Sequence, residues 1–486
     1  MSPSLELPGL LQALHALCVI AIALRVVMRR PARGVALAWL FLVAIFPFAG
    51  PVIYLLIGER RISRRRQRTL DRLRVHYASS ANAVLERDLS DVDWSRHGEA
   101  AAAMDRLGRH LIGSPTLRGS RLELFDDTRA ILDAIRHDID AARETVFMEF
   151  YIWQAGGRAD AVLEAVLRAA ARGVLCRLLI DALGARDWWK GDQPRRLRDA
   201  GVELRAALPA GVFQTLIGRT DLRLHRKLVV IDGAHAWTGS MNLVDPEFFK
   251  AGAGYGEWVD AMVRVEGPAV LALNATLIGD WLLERGEPRH ELLAHAHRVL
   301  PEAGSADVQL IPSGPTRSSD TLLQMLLALI NAAREELVLT TPYLVPDDAL
   351  ALALRGAAAR GVRVLLILPE KVDSFFTRFA SRSYFEELLE VGVEIRLFHG
   401  GLLHTKSIVV DETLSMFGTV NLDMRSLWLN YELTLFIYDA GFARDLRDLQ
   451  EHYLARSHAL DRRRWRRRPF AARLLENAMR IASPLL

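Results

Sequence analysis

The chain has 486 residues, 51% of them hydrophobic and 25% charged, so it can bury more than one core and is not a disordered protein. Its formal charge is +4, but Arg462, Arg463, Arg464, Arg466, Arg467 and Arg468 supply six positive charges, and without them the sum is −2. Positive charge gathered in terminal segments speaks against a nucleic-acid-binding protein, and the only two cysteines, Cys18 and Cys176, do not indicate a disulfide framework.

Residues 7–24 are almost wholly apolar, and residues 35–58 carry no charged side chain over 24 positions, enough to cross a hydrocarbon core of about 30 Å at about 1.5 Å per residue. Residues 1–58 therefore read as a membrane hairpin of two helices. No basic residue precedes the first apolar run and no small-x-small site follows it, which favours a retained anchor over a cleaved signal. The connector carries Arg29, Arg30 and Arg33, and Arg60, Arg61, Arg64, Arg65, Arg66 and Arg68 follow the second run, so the positive-inside rule places the rest of the chain in the cytoplasm. Pro47, Gly50 and Pro51 leave open a hairpin that dips into the membrane without crossing it.

Residues 59–105 read as a basic linker or surface helix without visible chemistry. Beyond them, 131–142 is an amphipathic helix, 145–153 a strand, the next helix ends at Gly173, and 174–180 is a second strand. This alternation argues for an α/β fold with a mixed sheet flanked by helices. The order then repeats. Ala141-Ala142-Arg143-Glu144 recurs as Ala332-Ala333-Arg334-Glu335, and Ala169-Ala170-Ala171-Arg172-Gly173-Val174 recurs at 357–362. The soluble body is thus a duplication, with halves at 106–281 and 306–460, a connector at 282–305 and a basic amphipathic tail at 461–486. In the tail, Phe470, Leu474, Leu475, Ala478 and Ile481 share one helical face, the pattern of a helix that lies on an anionic membrane surface, the alternative being a helix packed on the catalytic body with its arginines solvated.

Each half contains the stretch most closely tied to chemistry. His225-Arg226-Lys227 is followed by four residues and Asp232, and His404-Thr405-Lys406 by four residues and Asp411; Gly239-Ser240-Met241-Asn242 and Gly418-Thr419-Val420-Asn421 stand 14 to 17 positions past each histidine. Strand alternation puts each His and its Lys on one face and the Asp on the other, so Asp232 and Asp411 brace a turn. Two histidines and two lysines at one pocket suit attack on a phosphodiester. A neutral imidazole is the nucleophile, a second imidazole is the acid and base, and the lysines hold the non-bridging oxygens. Asn242 and Asn421 add neutral donors, and Ser240 and Thr419 join them in the expected substrate-binding set. No metal or other cofactor is required, since Lys is a poor zinc ligand and the motif brings no cysteine or carboxylate at ligand spacing. His110, His235, His290, His295 and His297 have no repeated partner, and Trp188 and Trp189 fit either a lipid-facing rim or internal packing.

The paired motifs resemble those of the phospholipase D superfamily, whose members place two His-Lys-Asp motifs at one active site between two similar halves. That resemblance implies a supporting acidic residue past each motif, orienting the histidine of its own or the opposite half. Asp260 and Glu432 match the place, with Glu257 a rival for the first. It also implies that the nucleophile is in the first half. The segment 39–66, the run 239–249, Pro312-Ser313-Gly314-Pro315, Thr341-Pro342-Tyr343 and the run 418–426 are similar to bacterial cardiolipin synthases. This likeness implies an integral protein of the bacterial inner membrane. It would transfer a phosphatidyl group from one phosphatidylglycerol to another, forming cardiolipin and releasing glycerol. A membrane-bound lipid hydrolase or another phosphatidyltransferase is the alternative, a phosphodiester nuclease is disfavoured by the membrane segment, and the oligomeric state is open.

Overall fold

The computed structural model describes residues 7–29, 33–58, 69, 89–209, 222–250, 252–285, 300–315 and 320–482, in two units: one within residues 1–64, the other within 65–209 and 222–486. In the first unit, Leu7–Arg29 is one helix, and its stretch Gly9–Arg29 is, among the described residues, the only helix long and apolar enough to cross a membrane. The second apolar run is not the single helix expected from its length. It divides into Arg33–Ile45 and Ala49–Ile57, of 13 and 9 residues, at about 1.5 Å per residue each too short for a hydrocarbon core. The break falls at Pro47, whose ring cannot continue a helix, and Phe48 takes a left-handed φ of 60°. Ile22, Val26, Val43 and Tyr54 pack these helices together. The arginines at 60–68 and most of the expected linker lie outside the described residues, as do residues 286–299 of the connector with His290, His295 and His297.

Among the described residues of the second unit, fifteen strands form one mixed sheet with the same succession in either direction from its centre. The seam is the antiparallel pair Thr116–Phe125 and Ala306–Ser313. On one side follow Met262–Glu266, His235–Gly239, Leu228–Ile231, Thr145–Phe150, Leu175–Asp181 and Glu203–Ala207; on the other, Glu432–Tyr438, Leu414–Gly418, Ser407–Val410, Glu336–Thr340, Arg363–Pro369, Glu394–Phe398 and a short edge strand, Ser457–Ala459. Strand alternation divides the core. Leu228 and Val230 point to a core shared by both halves, together with Leu273 and Trp281 of the helix Ala269–Arg285 and Leu446 of the helix Ala440–Ala455. Val229 and Ile231 point to the opposite face, where they meet Leu132 and Val166 of the helices Thr128–Ala141 and Arg158–Ala171. The second half repeats this with Thr321–Ala332 and Asp348–Ala359. The helix Gly98–Ile112 runs through the expected boundary at 105: Ala101 and Met104 are buried in the second half's core, so this stretch is part of the body. Trp188 stacks on Trp153 at 4.7 Å inside the first half, the packing alternative of the two considered for it.

The turn after each His-Lys strand is built alike. Asp232 and Gly233, and Asp411 and Glu412, have left-handed φ between 49° and 56°. The Asp232 carboxylate accepts the backbone N–H groups of Arg143, Glu144 and Thr145, and Asp411 those of Arg334, Glu335 and Glu336, which begin the neighbouring strand. Gly239 and Gly418 pass so close to the next strand that an added Cβ would lie 2.5 Å from the Ala261 carbonyl oxygen and 2.3 Å from that of Leu433.

The C-terminal helix Phe470–Ala482 packs on the helix Phe375–Glu390 through Glu476, which is fully buried and accepts from Arg382 at 2.9 Å and Arg468 at 2.8 Å. Trp465 is buried between the same two arginines. The stripe expected to meet a membrane faces outward, with Phe470 77%, Leu474 58% and Ile481 84% exposed.

Replacing Asp232 or Asp411 by Ala removes three backbone hydrogen bonds and leaves Ala at a positive φ. Each change should destabilise the protein by about 2 kcal/mol and lower the thermal unfolding midpoint by several degrees. An unchanged midpoint would show that these carboxylates do not brace the sheet.

Candidate active site

Both His-x-Lys stretches end in a strand, and the residues just before each strand cross to the opposite half. His225 donates its backbone N–H to the Tyr431 carbonyl at 2.9 Å, and Tyr431 donates to Arg223 at 2.8 Å. In the mirror position, Leu402–Leu403 pairs with Trp258–Val259, and His404 donates to the Val259 carbonyl at 2.8 Å. The imidazoles follow the backbones. His225 Nδ1 lies 2.8 Å from Glu432, and His404 Nδ1 lies 2.6 Å from Asp260, so each histidine is held by the carboxylate of the other half. Glu257, the rival for Asp260, serves here through its backbone carbonyl, which accepts from Leu402.

All four groups are buried. Burial and the neighbouring lysines outweigh the carboxylates and lower both histidines to about 4. Burial pushes Asp260 and Glu432 up, but their histidines, lysines and hydroxyl donors hold both carboxyls below their ordinary values. At neutral pH the carboxylates are therefore ionised acceptors. Nδ1 of each neutral imidazole carries the proton, and Nε2 keeps its lone pair. His225 and His404 line one cavity of about 250 Å³. Lys227 and Lys406 lie beneath them, fully buried, each Nζ donating to the carbonyl of its own histidine. Burial lowers Lys227 to about 7 and Lys406 well below its ordinary value.

The other expected residues divide into two layers. Asn242 and Asn421 line the cavity, Asn242 also accepting the Ile152 N–H at 3.1 Å, whereas the buried Asn421 Oδ1 has no hydrogen-bond partner. Ser240 and Thr419 were expected to touch substrate but stand behind the histidines, donating to Asp260 and Glu432 at 2.6 Å. Asp232 and Asp411, part of the expected catalytic motif, brace the turns at the far ends of the strands.

Several side chains had no repeat to betray them. Tyr151 sits edge-on to His225 at 5.1 Å, and Trp258 lies 4.3 Å from the His404 ring. Arg223 and Arg425 add positive charge to the cavity wall; Tyr343 donates its hydroxyl to Asp373 at 2.5 Å, and Lys250 reaches Asp373 at 3.2 Å. Desolvation, then Asp373, holds the Tyr343 hydroxyl well above its ordinary value, so it remains a donor. Behind His225, Arg226 donates to the Glu432 carbonyl at 2.9 Å and pairs with Asp280, beside a buried Glu149 that burial and Asp280 hold well above the carboxylate range. Its counterpart in the second half is only Thr405 against Tyr453 at 2.9 Å. Among the described residues no cluster of His, Cys, Asp and Glu has the form of a metal site.

Two like halves, each supplying a histidine to one cavity, a buried lysine beneath it and a carboxylate to the other's histidine, define an enzyme of the phospholipase D type. The family model for the PLD-like domain of cardiolipin synthase matches residues 135–264 and 326–453, and that for the phospholipase D-nuclease N-terminal segment matches 16–59. The chain is 42% identical to cardiolipin synthase A of Yersinia pseudotuberculosis serotype O:1b over 97% of its own length and 96% of that protein, and 43% identical to cardiolipin synthase A of Erwinia tasmaniensis over the same shares. Phosphatidylserine synthase of Haemophilus influenzae Rd KW20 shares the fold, with a TM-score of 0.60 at 16% identity over 79% of this chain and 100% of that one. The chain belongs to the bacterial cardiolipin synthase family of the phospholipase D superfamily and is a phosphatidyltransferase.

An anion entering the cavity raises the pKa of His225, His404 and Lys227, which stand at about 4, about 4 and about 7 when the cavity is empty. The bound form then holds more protons, so anion affinity should fall as pH rises through neutrality. Uptake should vanish below about pH 4, where the free protein is already protonated. Calorimetry with sulfate, an anion that does not itself titrate in this range, in two buffers of different ionisation enthalpy measures this; proton release at pH 7 would contradict it.

Proposed function

We propose that the protein joins two phosphatidylglycerol molecules into cardiolipin, releasing glycerol, through a phosphohistidine on His225. The observation that carries this reading is the pair of neutral imidazoles at one cavity, each with Nδ1 tied to a carboxylate and Nε2 free to react. The Nε2 lone pair of His225 attacks phosphorus, and the bond from phosphorus to the glycerol oxygen breaks. His404, having gained a proton as the anionic substrate binds, gives it to the departing glycerol. The terminal hydroxyl of a second phosphatidylglycerol then loses its proton to His404 Nε2 and attacks phosphorus, and the bond to His225 breaks. The lysines and arginines offset the negative charge that gathers on the non-bridging oxygens. The relatives' name supports cardiolipin as the product.

Membrane attachment fits the same reading. The helix Leu7–Arg29 anchors the chain in the bacterial inner membrane. With the second apolar run broken at Pro47 and dipping in without crossing, Arg29, Arg30 and Arg33 fall on the same side as the arginines at 60–68, which satisfies the positive-inside rule with the catalytic unit in the cytoplasm. The outward stripe of the C-terminal helix rests on the bilayer, and its arginines attract the anionic lipid.

Purified enzyme given phosphatidylglycerol should yield cardiolipin and glycerol in equal amounts by chromatography; phosphatidic acid alone would indicate a hydrolase. His225→Ala and His404→Ala should each lose at least about a thousandfold in turnover, because groups that act as a unit fail together. Full activity in His404→Ala would sink the mechanism, and a phosphoenzyme formed by His225→Ala would reverse the two roles.

Truncating the tail would remove the buried Trp465 and Glu476 as well as the stripe, so surface changes isolate its role. A variant with Phe470→Ser, Leu474→Ser and Ile481→Ser should lose about tenfold in activity on anionic vesicles and keep it in detergent micelles. Equal activity on vesicles would show that this stripe does not orient the enzyme.

A further inference from the structure

The cavity is mostly cationic, as a phosphodiester requires, yet one wall carries a carboxylate, Asp373, held by a tyrosine and a lysine. Asp373 Oδ1 accepts the Tyr343 hydroxyl at 2.5 Å, and Oδ2 accepts Lys250 Nζ at 3.2 Å, while the side chain stays 12% exposed. An ionised carboxylate offers about four lone-pair sites, so two remain for a ligand. A phosphodiester oxygen has no proton to give them, but a hydroxyl would donate. Lys250 Nζ also lies 5.6 Å from the Trp258 ring, and Trp258 stands against His404, which puts this cluster on the side of the histidine that handles alcohol protons. Asn421 lines the same cavity, and its buried Oδ1 has no hydrogen-bond partner.

The first half has no equivalent. Tyr151 follows the central strand of its half as Tyr343 follows its own, but Tyr151 faces His225 and Lys227. The two halves therefore present the same reactive groups with different surroundings, as a double displacement needs when one oxygen leaves and another arrives at one side of a single phosphorus. We propose that Asp373, Tyr343 and Lys250, with Asn421, form a polyol subsite. It holds the free hydroxyls of the departing glycerol and then those of the glycerol headgroup of the incoming lipid. Water has no second hydroxyl to place in the subsite and competes poorly. This assignment rests on the transferase reading above and adds the groups that select the alcohol.

The test uses full-length enzyme in detergent micelles with phosphatidylglycerol and two competing acceptors, deuterated glycerol and ethanol. Both intercept the same intermediate, so the ratio of label exchanged into phosphatidylglycerol to phosphatidylethanol formed does not depend on the overall rate. Asp373→Asn and Tyr343→Phe should each lower the preference for glycerol over ethanol about tenfold and lower the ratio of cardiolipin to phosphatidic acid with it. Tyr343→Phe keeps the ring, so it reads the subsite even if Asp373→Asn folds poorly. If every product falls together in both variants and the ratio holds, the cluster is only a brace for the wall and the subsite is overturned. If the parent enzyme forms neither cardiolipin nor exchanged phosphatidylglycerol, the transferase reading fails and takes the subsite with it.

Discussion

Two buried imidazole–carboxylate pairs, crossed between the halves, are the constraint on which the rest of this structure depends. A carboxylate removed from water is costly unless charge-assisted hydrogen bonds replace its hydration. Asp260 meets that need with His404 and Ser240, and Glu432 with His225, Thr419 and Asn430. Neither half can do so alone, because each carboxylate belongs to the half that lacks its histidine. The backbone follows the same rule: the residues leading into each histidine pair with the strand that delivers the other half's acid. The seam between Thr116–Phe125 and Ala306–Ser313 joins the halves into one sheet, and one hydrophobic core draws residues from both, so the pairing at the site is supported by the whole body.

Burial also determines the chemistry. It makes the neutral form of each imidazole the resting one, while the crossed carboxylates fix which nitrogen carries the proton. A solvated histidine at this position would have neither property. The halves differ in what surrounds these equal centres. His225 is backed by Arg226, Asp280 and Glu149, His404 by Thr405 and Tyr453. Duplication accounts for two identical reactive groups, and this later divergence gives a physical basis for two different roles.

Both ends of the chain carry exposed apolar side chains. At the N-terminus one long apolar helix is followed by two short ones, and Pro47 decides where the break comes. At the C-terminus the tail is part of the body, not an appendage. A buried Glu476 ties it to Arg382 and Arg468, and that attachment turns its apolar stripe away from the protein. Packing by an ion pair on one face and leaving aromatic and aliphatic side chains bare on the other is costly in water and favourable at a lipid surface.

Much of the site was legible because duplication wrote it twice. The spacing of His225, Lys227 and Asp232 against His404, Lys406 and Asp411 picked out the two histidines that meet at the cavity and the lysines beneath them, and strand parity alone separated the two aspartates from the pocket. The helix and strand periods marked the layers to within a few residues. Tertiary structure decided the rest. The crossing of Asp260 and Glu432 to the opposite histidines depends on which strands meet at the centre of the sheet, and no spacing along one chain records that. Ser240 and Thr419 stand in the same short runs as Asn242 and Asn421, yet only the asparagines reach the cavity, because each strand ends at the motif glycine and the parity that sorts strand residues no longer applies beyond it. Asp373 and Lys250 were hidden for the opposite reason, and Tyr343, though part of a recognised run, carried no sign of its neighbours: the three lie on separate segments, and only the folded chain brings them together. A sequence read alone reveals what is periodic or repeated, because those patterns are local; contacts between distant segments depend on the long-range packing of the whole sheet.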